Sequence, residues 1–184
     1  MRYLLIILSL FLSLIFCWEK PKAWDREKFG DSLPTLKDVM DKHQETITEG
    51  TRWLVGIEEP SGKITSTYGH YDGYPEHAGK MLKKYYKNPV VVKNLMKLGK
   101  SGISSIGAKI KGSKDHSFDN PEKDVTVFYG RDRGEKGNST SKWKSRDAVK
   151  FHSGEEFAYI FNMKDKKWYY KAKYGNPQAW TVLK

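Results

Sequence analysis

The segment that decides the fold reads Thr51-Arg52-Trp53-Leu54-Val55-Gly56-Ile57-Glu58. It is rich in β-branched and aromatic residues, which predicts a strand over residues 51–58. A second strand is predicted over residues 63–70 for the same reason. Between the two segments, Pro60-Ser61-Gly62 supplies the residue types that favour a tight turn. The sequence therefore predicts a β-hairpin here.

Two helices are predicted after this hairpin. The first covers residues 76–86, and Pro75 suits its first turn. The second covers residues 89–98, because Asn88 can cap its amino terminus and Gly99 can end it. The helical spacing of its apolar residues predicts a buried stripe that consists of Val91, Leu95 and Leu98.

The carboxy-terminal part of the chain predicts further strands. They cover residues 124–129, 157–163, 167–173 and 180–183, and the middle two form a second hairpin. A long polar loop is predicted over residues 130–145. The order of these elements predicts an α+β domain over residues 51–184. Its antiparallel sheet should have about five strands, with two hairpins, and two helices should pack on one face.

The amino terminus differs in composition from the rest of the chain. Residues 3–18 carry no charge, and these sixteen residues would reach about 24 Å as a helix, short of the roughly 30 Å hydrocarbon core. Residues 1–18 are therefore predicted to be a signal peptide or a membrane anchor. A cleaved signal is favoured, and a lipid-modified Cys17 is a further alternative. Residues 19–50 are predicted to form a polar tether that could contain a short helix over residues 32–41.

Composition limits the classes of protein that fit. Of the 184 residues, 33 are Lys or Arg and 22 are Asp or Glu, which gives a formal charge of +11, and 14% are aromatic. This aromatic content argues against a disordered chain, because the rings bring enough apolar area to form a core. The single Cys excludes an internal disulfide framework and a thiolate zinc site.

Positive charge and aromatic rings occur together near the carboxy terminus. From Lys136 onward the chain has eleven basic and four acidic residues, a net charge of +7. Basic groups beside aromatic rings suit anionic lipid headgroups, envelope polyanions or single-stranded nucleic acid. The structural alternative is that the rings alternate into the core and the lysines face solvent. The candidate binding residues are Lys142, Trp143, Lys144, Lys167, Tyr169 and Lys171.

Four titratable residues lie close together after the second predicted strand: His70, Asp72, Glu76 and His77. His70 and Asp72 are two positions apart and would share a face of a strand. They could bind a ligand, take part in acid–base catalysis or contribute to a metal site. Alternatively, Asp72 caps a turn, His70 hydrogen-bonds the backbone and Glu76 complements a helix dipole. The spacing matches no standard metal motif, so neither a metal nor another cofactor is predicted.

Two arginines, Arg131 and Arg133, lie in a glycine-flanked segment after a predicted strand. Their guanidinium groups could bind a carboxylate or a phosphate. Alternatively, they form internal ion pairs with Asp72, Asp119 or Glu135. Either arrangement predicts that one arginine lies near the His70 end of the sheet. The candidate catalytic residues are therefore His70, Asp72, Arg131 and Arg133.

The motif Tyr68-Gly69-His70-Tyr71-Asp72-Gly73-Tyr74, which follows the Thr51-Arg52 strand, resembles a known pattern. A family of small uncharacterised phage and bacterial proteins has a Thr-Arg-Ser-type first strand and a Tyr-Cys-His-Trp-Asp-Gly-Tyr motif. The resemblance extends from about residue 50 to the end of the chain and implies a common domain, without implying a particular activity. Gly69 stands where that family often has Cys, which excludes a catalytic thiol at this position.

These features predict an exported or membrane-tethered accessory domain, encoded by a phage or a bacterium, on the periplasmic or extracellular side. It would be a binding module for an envelope component or a host protein, and could contact an anionic membrane surface. One alternative is a small hydrolase that uses His70 and Asp72 with Arg131 or Arg133. Another is nucleic-acid binding through the basic aromatic carboxy-terminal face, which export would make less favourable.

Overall fold

The computed structural model describes residues 50–152 and 154–184. The predicted signal or anchor, the tether up to residue 49 and its short helix over residues 32–41 lie outside the described residues. Within the described ranges, no helix is both long enough and apolar enough to span a membrane.

Eight strands and three α-helices are present in residues 50–152 and 154–184. The strands are β1 (Arg52–Glu58), β2 (Ile64–Gly69), β3 (Ile103–Ser105), β4 (Val127–Phe128), β5 (Ser141–Trp143), β6 (Glu155–Asn162), β7 (Lys167–Ala172) and β8 (Thr181–Val182). The helices are α1 (Lys80–Tyr85), α2 (Pro89–Leu98) and α3 (Tyr129–Arg133). A π-helical turn (Pro75–Gly79) leads directly into α1, so the two together form the first predicted helix.

The strands form one mixed sheet in the order β4-β3-β2-β1-β6-β7-β8, and β5 also pairs with β2. The α+β class and both predicted hairpins are confirmed, because β1–β2 and β6–β7 are antiparallel pairs. The prediction of an antiparallel sheet of about five strands is wrong, since the sheet has eight strands and β1 runs parallel to β6. Both of these central strands are buried on both faces, so their residue patterns carried no information about their relative direction.

Helix α2 begins and ends where the sequence indicates. The Asn88 side chain accepts a hydrogen bond from the Val90 N–H at 2.8 Å, and Gly99 follows the last helical residue. Of the predicted stripe, Leu95 is buried, while Val91 and Leu98 are partly buried against the same apolar cluster; the other buried residues of α2 are Val92 and Met96. The Thr67 hydroxyl of β2 donates to the Gly99 carbonyl at 2.7 Å, which attaches the end of the helix to the sheet.

The helices pack on one face of the sheet. Their buried residues Ala78, Leu82, Val92 and Leu95 join one apolar cluster with side chains of the central strands, among them Trp53, Val55, Tyr159 and Phe161. The opposite face is covered by residues 141–152, which we call the strap. Val149 of the strap is buried against Leu54, Ile64, Ala158 and Ile160. The sheet therefore has two buried faces, and only one of them is helical.

The predicted loop over residues 130–145 contains two elements that the sequence analysis missed, α3 and β5. Gly134 ends α3 in the left-handed region with a φ of 80°. This conformation costs glycine little and marks the end of many helices. The Arg131-to-Gly134 segment is therefore an ordered turn of helix beside β4.

Candidate functional site

The first polar site lies where β2 ends. The Tyr68 hydroxyl and the Nδ1 atom of His70 are 2.6 Å apart, and the positive charge of Arg52 acts on the same hydroxyl. A phenolic hydroxyl can donate its proton to an unprotonated imidazole nitrogen such as Nδ1. The rings of Tyr71 and Tyr129 pack edge-on against His70, at centroid distances of 4.2 and 6.4 Å. We call Arg52, Tyr68 and His70 the strand-end triad.

Electrostatics keep the two titratable rings of the strand-end triad neutral. Burial lowers the pKa of His70 below its usual value, and the positive charge of Arg52 lowers it further. Burial raises the pKa of Tyr68, and this outweighs the opposing effect of Arg52. At neutral pH the imidazole is therefore uncharged, and its Nδ1 atom accepts from the Tyr68 hydroxyl in the tautomer that carries the ring proton on Nε2.

Replacement of Arg52 by Gln should raise the pKa of His70, because it removes a positive charge that opposes protonation of the imidazole. The His70 ring protons, followed by NMR against pH, would report the midpoint. Arg133→Gln removes the same charge from a residue that does not contact His70 and is the matched control. An unchanged midpoint in Arg52→Gln would contradict the role assigned to Arg52.

The backbone of Asp72 stabilises the turn that precedes the first helix. Its carbonyl accepts from the Ala78 N–H at 3.2 Å and lies 3.1 Å from the Nδ1 atom of His77. Its backbone has a φ of 54°, an uncommon value for a non-glycine residue. The structure shows no contact between the Asp72 carboxylate and His70. Within residues 50–152 and 154–184, no group of three His, Cys, Asp or Glu side chains is placed to hold a metal ion.

Arg131 is engaged by groups of the domain itself. It donates to both carboxylate oxygens of Asp132, at 2.5 and 2.8 Å, and to the carbonyls of Thr126 and Ile110. The His116 Nδ1 atom accepts from the Glu122 N–H at 3.0 Å, so its Nε2 proton faces Asp132 at 3.3 Å. The side chains of His116 and Asp132 are only 3% exposed. This cluster fixes α3 against the preceding loop and leaves Arg131 few free donors.

Arg133 has a different environment from Arg131. Its guanidinium lies over the Phe118 ring at 4.8 Å and 3.4 Å from the Glu135 carboxylate. Phe118 packs on Tyr129, which contacts His70. The structure therefore brings Arg133 towards His70 only through two intervening rings. It does not bring the four candidate catalytic residues, His70, Asp72, Arg131 and Arg133, into contact with one another.

Replacement of Asp132 by Asn should destabilise the domain by about 2 kcal/mol at pH 7, because charge-assisted hydrogen bonds are lost. Burial alone would raise the pKa of Asp132. Arg131, the Phe128 N–H and His116 outweigh it and hold this pKa below its usual value. The stabilisation is therefore complete above the usual carboxyl pKa of about 4 and is lost as the pH falls through the lower folded-state pKa.

Urea unfolding at several pH values between 7 and 3 would measure this effect. The difference in the free energy of unfolding between wild type and Asp132→Asn should shrink towards low pH. Glu135→Gln, which removes only an exposed ion pair, should stay within about 0.5 kcal/mol of wild type. A difference for Asp132→Asn that is the same at every pH would show that the carboxylate charge is not what stabilises the cluster.

The aromatic residues of the predicted carboxy-terminal binding surface are used inside the domain. Trp143 donates from its Nε1 to the Ser66 hydroxyl at 2.8 Å. Tyr169 donates to Asp165 at 2.6 Å and is covered by the Arg146 guanidinium at 3.9 Å. The ammonium group of Lys171 donates to the Val149 carbonyl, and burial lowers its pKa. The other three candidates, Lys142, Lys144 and Lys167, are exposed.

A longer run of basic residues extends over helices α1 and α2 and the segments that follow them. Ten lysines and no acidic residue occur between residues 80 and 114, and all ten are exposed. None of their ammonium groups forms an ion pair or a hydrogen bond with a residue that the structure describes. We call these residues the lysine surface: Lys80, Lys83, Lys84, Lys87, Lys93, Lys97, Lys100, Lys109, Lys111 and Lys114. The absence of acidic residues between residues 80 and 114 was the sequence signal for this surface. It was missed because only the charge from Lys136 onward was considered as a binding surface.

Two grooves, each of about 530 Å³, flank α2. Lys93 and Lys97 line both of them. The first, the apolar groove, is otherwise lined by Asn94 and by the apolar side chains of Tyr86, Val90, Val91, Ala108 and Ile110. The second, the polar groove, is otherwise lined by Lys100, Glu59, Thr65, Thr140 and the apolar side chains of Ile57 and Met96. The two grooves therefore share Lys93 and Lys97, whereas only the second also has a third lysine, a carboxylate and two threonines in its lining.

Comparison with known proteins adds no relative to these observations. No protein-family model matches the chain, and no curated protein and no solved structure is detectably similar to it. The resemblance to the phage and bacterial family stays a prediction, as do the export signal and the domain boundaries.

Proposed function

We propose that the protein is a non-catalytic binding module that attaches to an anionic lipid surface of the cell envelope through the lysine surface. The observation that carries the proposal is the run of ten exposed lysines without an acidic residue or an ion-pair partner in the described residues. Unpaired positive charge concentrated in this way attracts anionic surfaces over distances of about a Debye length. The partner is thus still an envelope component, as the sequence predicts, but the residues that contact it lie on and after the helices and not on the carboxy-terminal hairpin.

The affinity expected for the contact between the lysine surface and a membrane is modest, which suits a domain that an anchor holds beside that membrane. Each lysine close to an anionic membrane contributes about 1 kcal/mol, and a surface of ten lysines can present only part of its charge to a plane at one time. Binding by the domain alone is therefore modest. The predicted anchor at residues 1–18 would hold the domain beside the membrane and raise its effective concentration there.

The engaged aromatic rings support lipid over single-stranded nucleic acid as the partner. Stacking of bases needs ring faces that are free, whereas the Trp143 ring packs against the His152 ring at 5.4 Å and Arg146 covers the Tyr169 ring at 3.9 Å. Trp168 is buried and donates to the Tyr86 carbonyl. The hairpin is thus built as a structural part of the domain.

The test is retention of the full chain on vesicles of phosphatidylglycerol and of phosphatidylcholine at 0.05 and 0.15 M salt. Because the apolar amino-terminal segment is present in both cases, the difference reports on charge. We expect at least tenfold stronger retention on the anionic vesicles, reduced by the higher salt. Equal retention on the two would refute the proposal. Tighter binding to single-stranded DNA than to the anionic vesicles would favour the nucleic-acid alternative instead.

One observation favours a second candidate function, acid–base catalysis by a small hydrolase. The short contact between the Tyr68 hydroxyl and His70, with Arg52 beside it, is an arrangement that can move a proton. Arg52 would then replace Arg131 and Arg133 as the charged partner of His70. Hydrolysis of model esters or phosphate esters that is lost in His70→Asn, with vesicle binding unchanged, would support this candidate, and no turnover by wild type would remove it.

A further inference from the structure

We propose that the apolar groove beside α2 receives one acyl chain of an anionic lipid, while Lys93 and Lys97 pair with its headgroup. This inference rests on the proposed function and deepens it, because it turns a general attraction to negative charge into recognition of a lipid molecule.

The lining of the groove suits a hydrocarbon chain. Five of its residues present apolar or aromatic surface: Tyr86, Val90, Val91, Ala108 and Ile110. Val90 is 74% exposed, an unusual position for a large aliphatic side chain, and an acyl chain beside it would remove that surface from water. The groove volume of about 530 Å³ lies within the range of sites that bind small molecules.

The charges around the groove suit an anionic headgroup. Lys93 and Lys97 are four residues apart on α2, so they lie on the same side of the helix and repel each other. An anion placed between their ammonium groups would relieve this repulsion. Lys109 and Lys111 flank the lining residue Ile110 in the sequence. No acidic residue lines this groove, although the Glu122 carboxylate interacts electrostatically with Lys109.

The polar groove beside α2 is the less suitable site, although it has the same two lysines and Lys100 as a third. Its lining contains the Glu59 carboxylate, which repels an anion, the hydroxyl-bearing side chains of Thr65 and Thr140, and only two apolar side chains, Ile57 and Met96. The contrast between the grooves indicates that the apolar groove is the one that takes the chain.

The experiment uses the full protein on phosphatidylglycerol vesicles that contain a lipid with a photoreactive diazirine in the middle of its acyl chain. Irradiation followed by mass spectrometry would locate the lipid adducts. We expect adducts on residues that line the apolar groove. Ala108→Phe, which fills the groove, should reduce them at least fivefold relative to adducts elsewhere in the chain.

Two further variants keep this test interpretable. Ala179→Phe makes the same substitution at an exposed residue remote in sequence from the groove lining, and it should leave the adducts unchanged. Val90→Thr changes an exposed side chain with little change in volume, so it preserves folding and should reduce the groove adducts about threefold.

The outcomes separate this inference from the proposed function. Groove adducts that disappear in Ala108→Phe and persist in Ala179→Phe would support both. Preference for anionic vesicles without adducts in the groove, or with adducts that Ala108→Phe does not reduce, would overturn the acyl-chain inference alone. Loss of the preference for anionic vesicles would overturn the proposed function, and the acyl-chain inference with it.

Discussion

Replacement of Gly69 by Ala should destabilise the domain by about 3 kcal/mol, the upper end of the usual cost of overpacking. A Cβ atom at Gly69 would lie 2.2 Å from Cε2 and 2.4 Å from Nε1 of Trp53, the residue directly opposite on β1. The indole cannot move aside easily. It is fully buried, its Nε1 donates to the Tyr71 carbonyl at 3.2 Å, and Gly73 approaches it from another side.

Urea unfolding monitored by circular dichroism would measure this loss. Gly137→Ala is the matched control, because a Cβ atom there meets nothing within 4 Å and the backbone needs no positive φ. A double-mutant cycle with Trp53→Leu tests the cause, since a smaller side chain at position 53 should reduce the cost of Gly69→Ala. A cost that is the same in both backgrounds would show that the clash with Trp53 is not responsible.

Reversal of three charges on the lysine surface, Lys93→Glu, Lys97→Glu and Lys100→Glu together, should weaken binding to anionic vesicles by at least 100-fold. Loss of three lysines near an anionic membrane removes about 3 kcal/mol, which is already a factor of about 100, and the new carboxylates add repulsion. All three side chains are exposed, so folding should be preserved. Vesicle co-sedimentation at fixed ionic strength gives the ratio of partition coefficients.

The same change of charge on the strap and on β7 provides the control. Lys142→Glu, Lys144→Glu and Lys167→Glu together alter the net charge equally, at three exposed positions that the sequence analysis assigned to the binding surface. We expect less than a fivefold loss from this second variant. A loss as large as that of the helical variant would indicate that the strap and β7 contact the membrane and would contradict the assignment to the lysine surface.

Local chemistry made much of the fold predictable. The side chain of Asn88 caps α2 as expected, and Pro60-Ser61-Gly62 connects β1 to β2. The parallel pairing of β1 with β6 was missed because it joins distant segments whose apolar patterns suit either direction. The short strand β3 was missed because Ile103–Ser105 is too brief to show a pattern. Helix α3 was missed because its five residues are too few to show a helical spacing of apolar side chains, and Gly134 at its end is the only residue of a type that commonly marks a helix boundary.

The site was less predictable than the fold. His70 was identified, but its partner Arg52 appeared in the sequence only as a charged residue in a strand. Leu54 lies opposite Tyr68 in the β1–β2 pair, and this register places Arg52 and Tyr68 on the same face of the hairpin. The register of two strands cannot be read from their residue types alone. Position 69 was notable in the sequence because a similar family often has Cys there. The structure gives a steric reason for Gly, since the Trp53 ring fills the space.

The parallel pairing of β1 with β6 has a consequence for the order of events during synthesis. The side chains of Glu58 and Asn162, which hydrogen-bond at 2.9 Å across this pair, are 104 residues apart in the chain. Contacts of such separation form late, because a long loop must close first. The centre of the sheet is therefore incomplete until the last fifth of the polypeptide has emerged. A chain exported as the sequence predicts would remain translocation-competent through most of its passage and would fold only on the far side of the membrane.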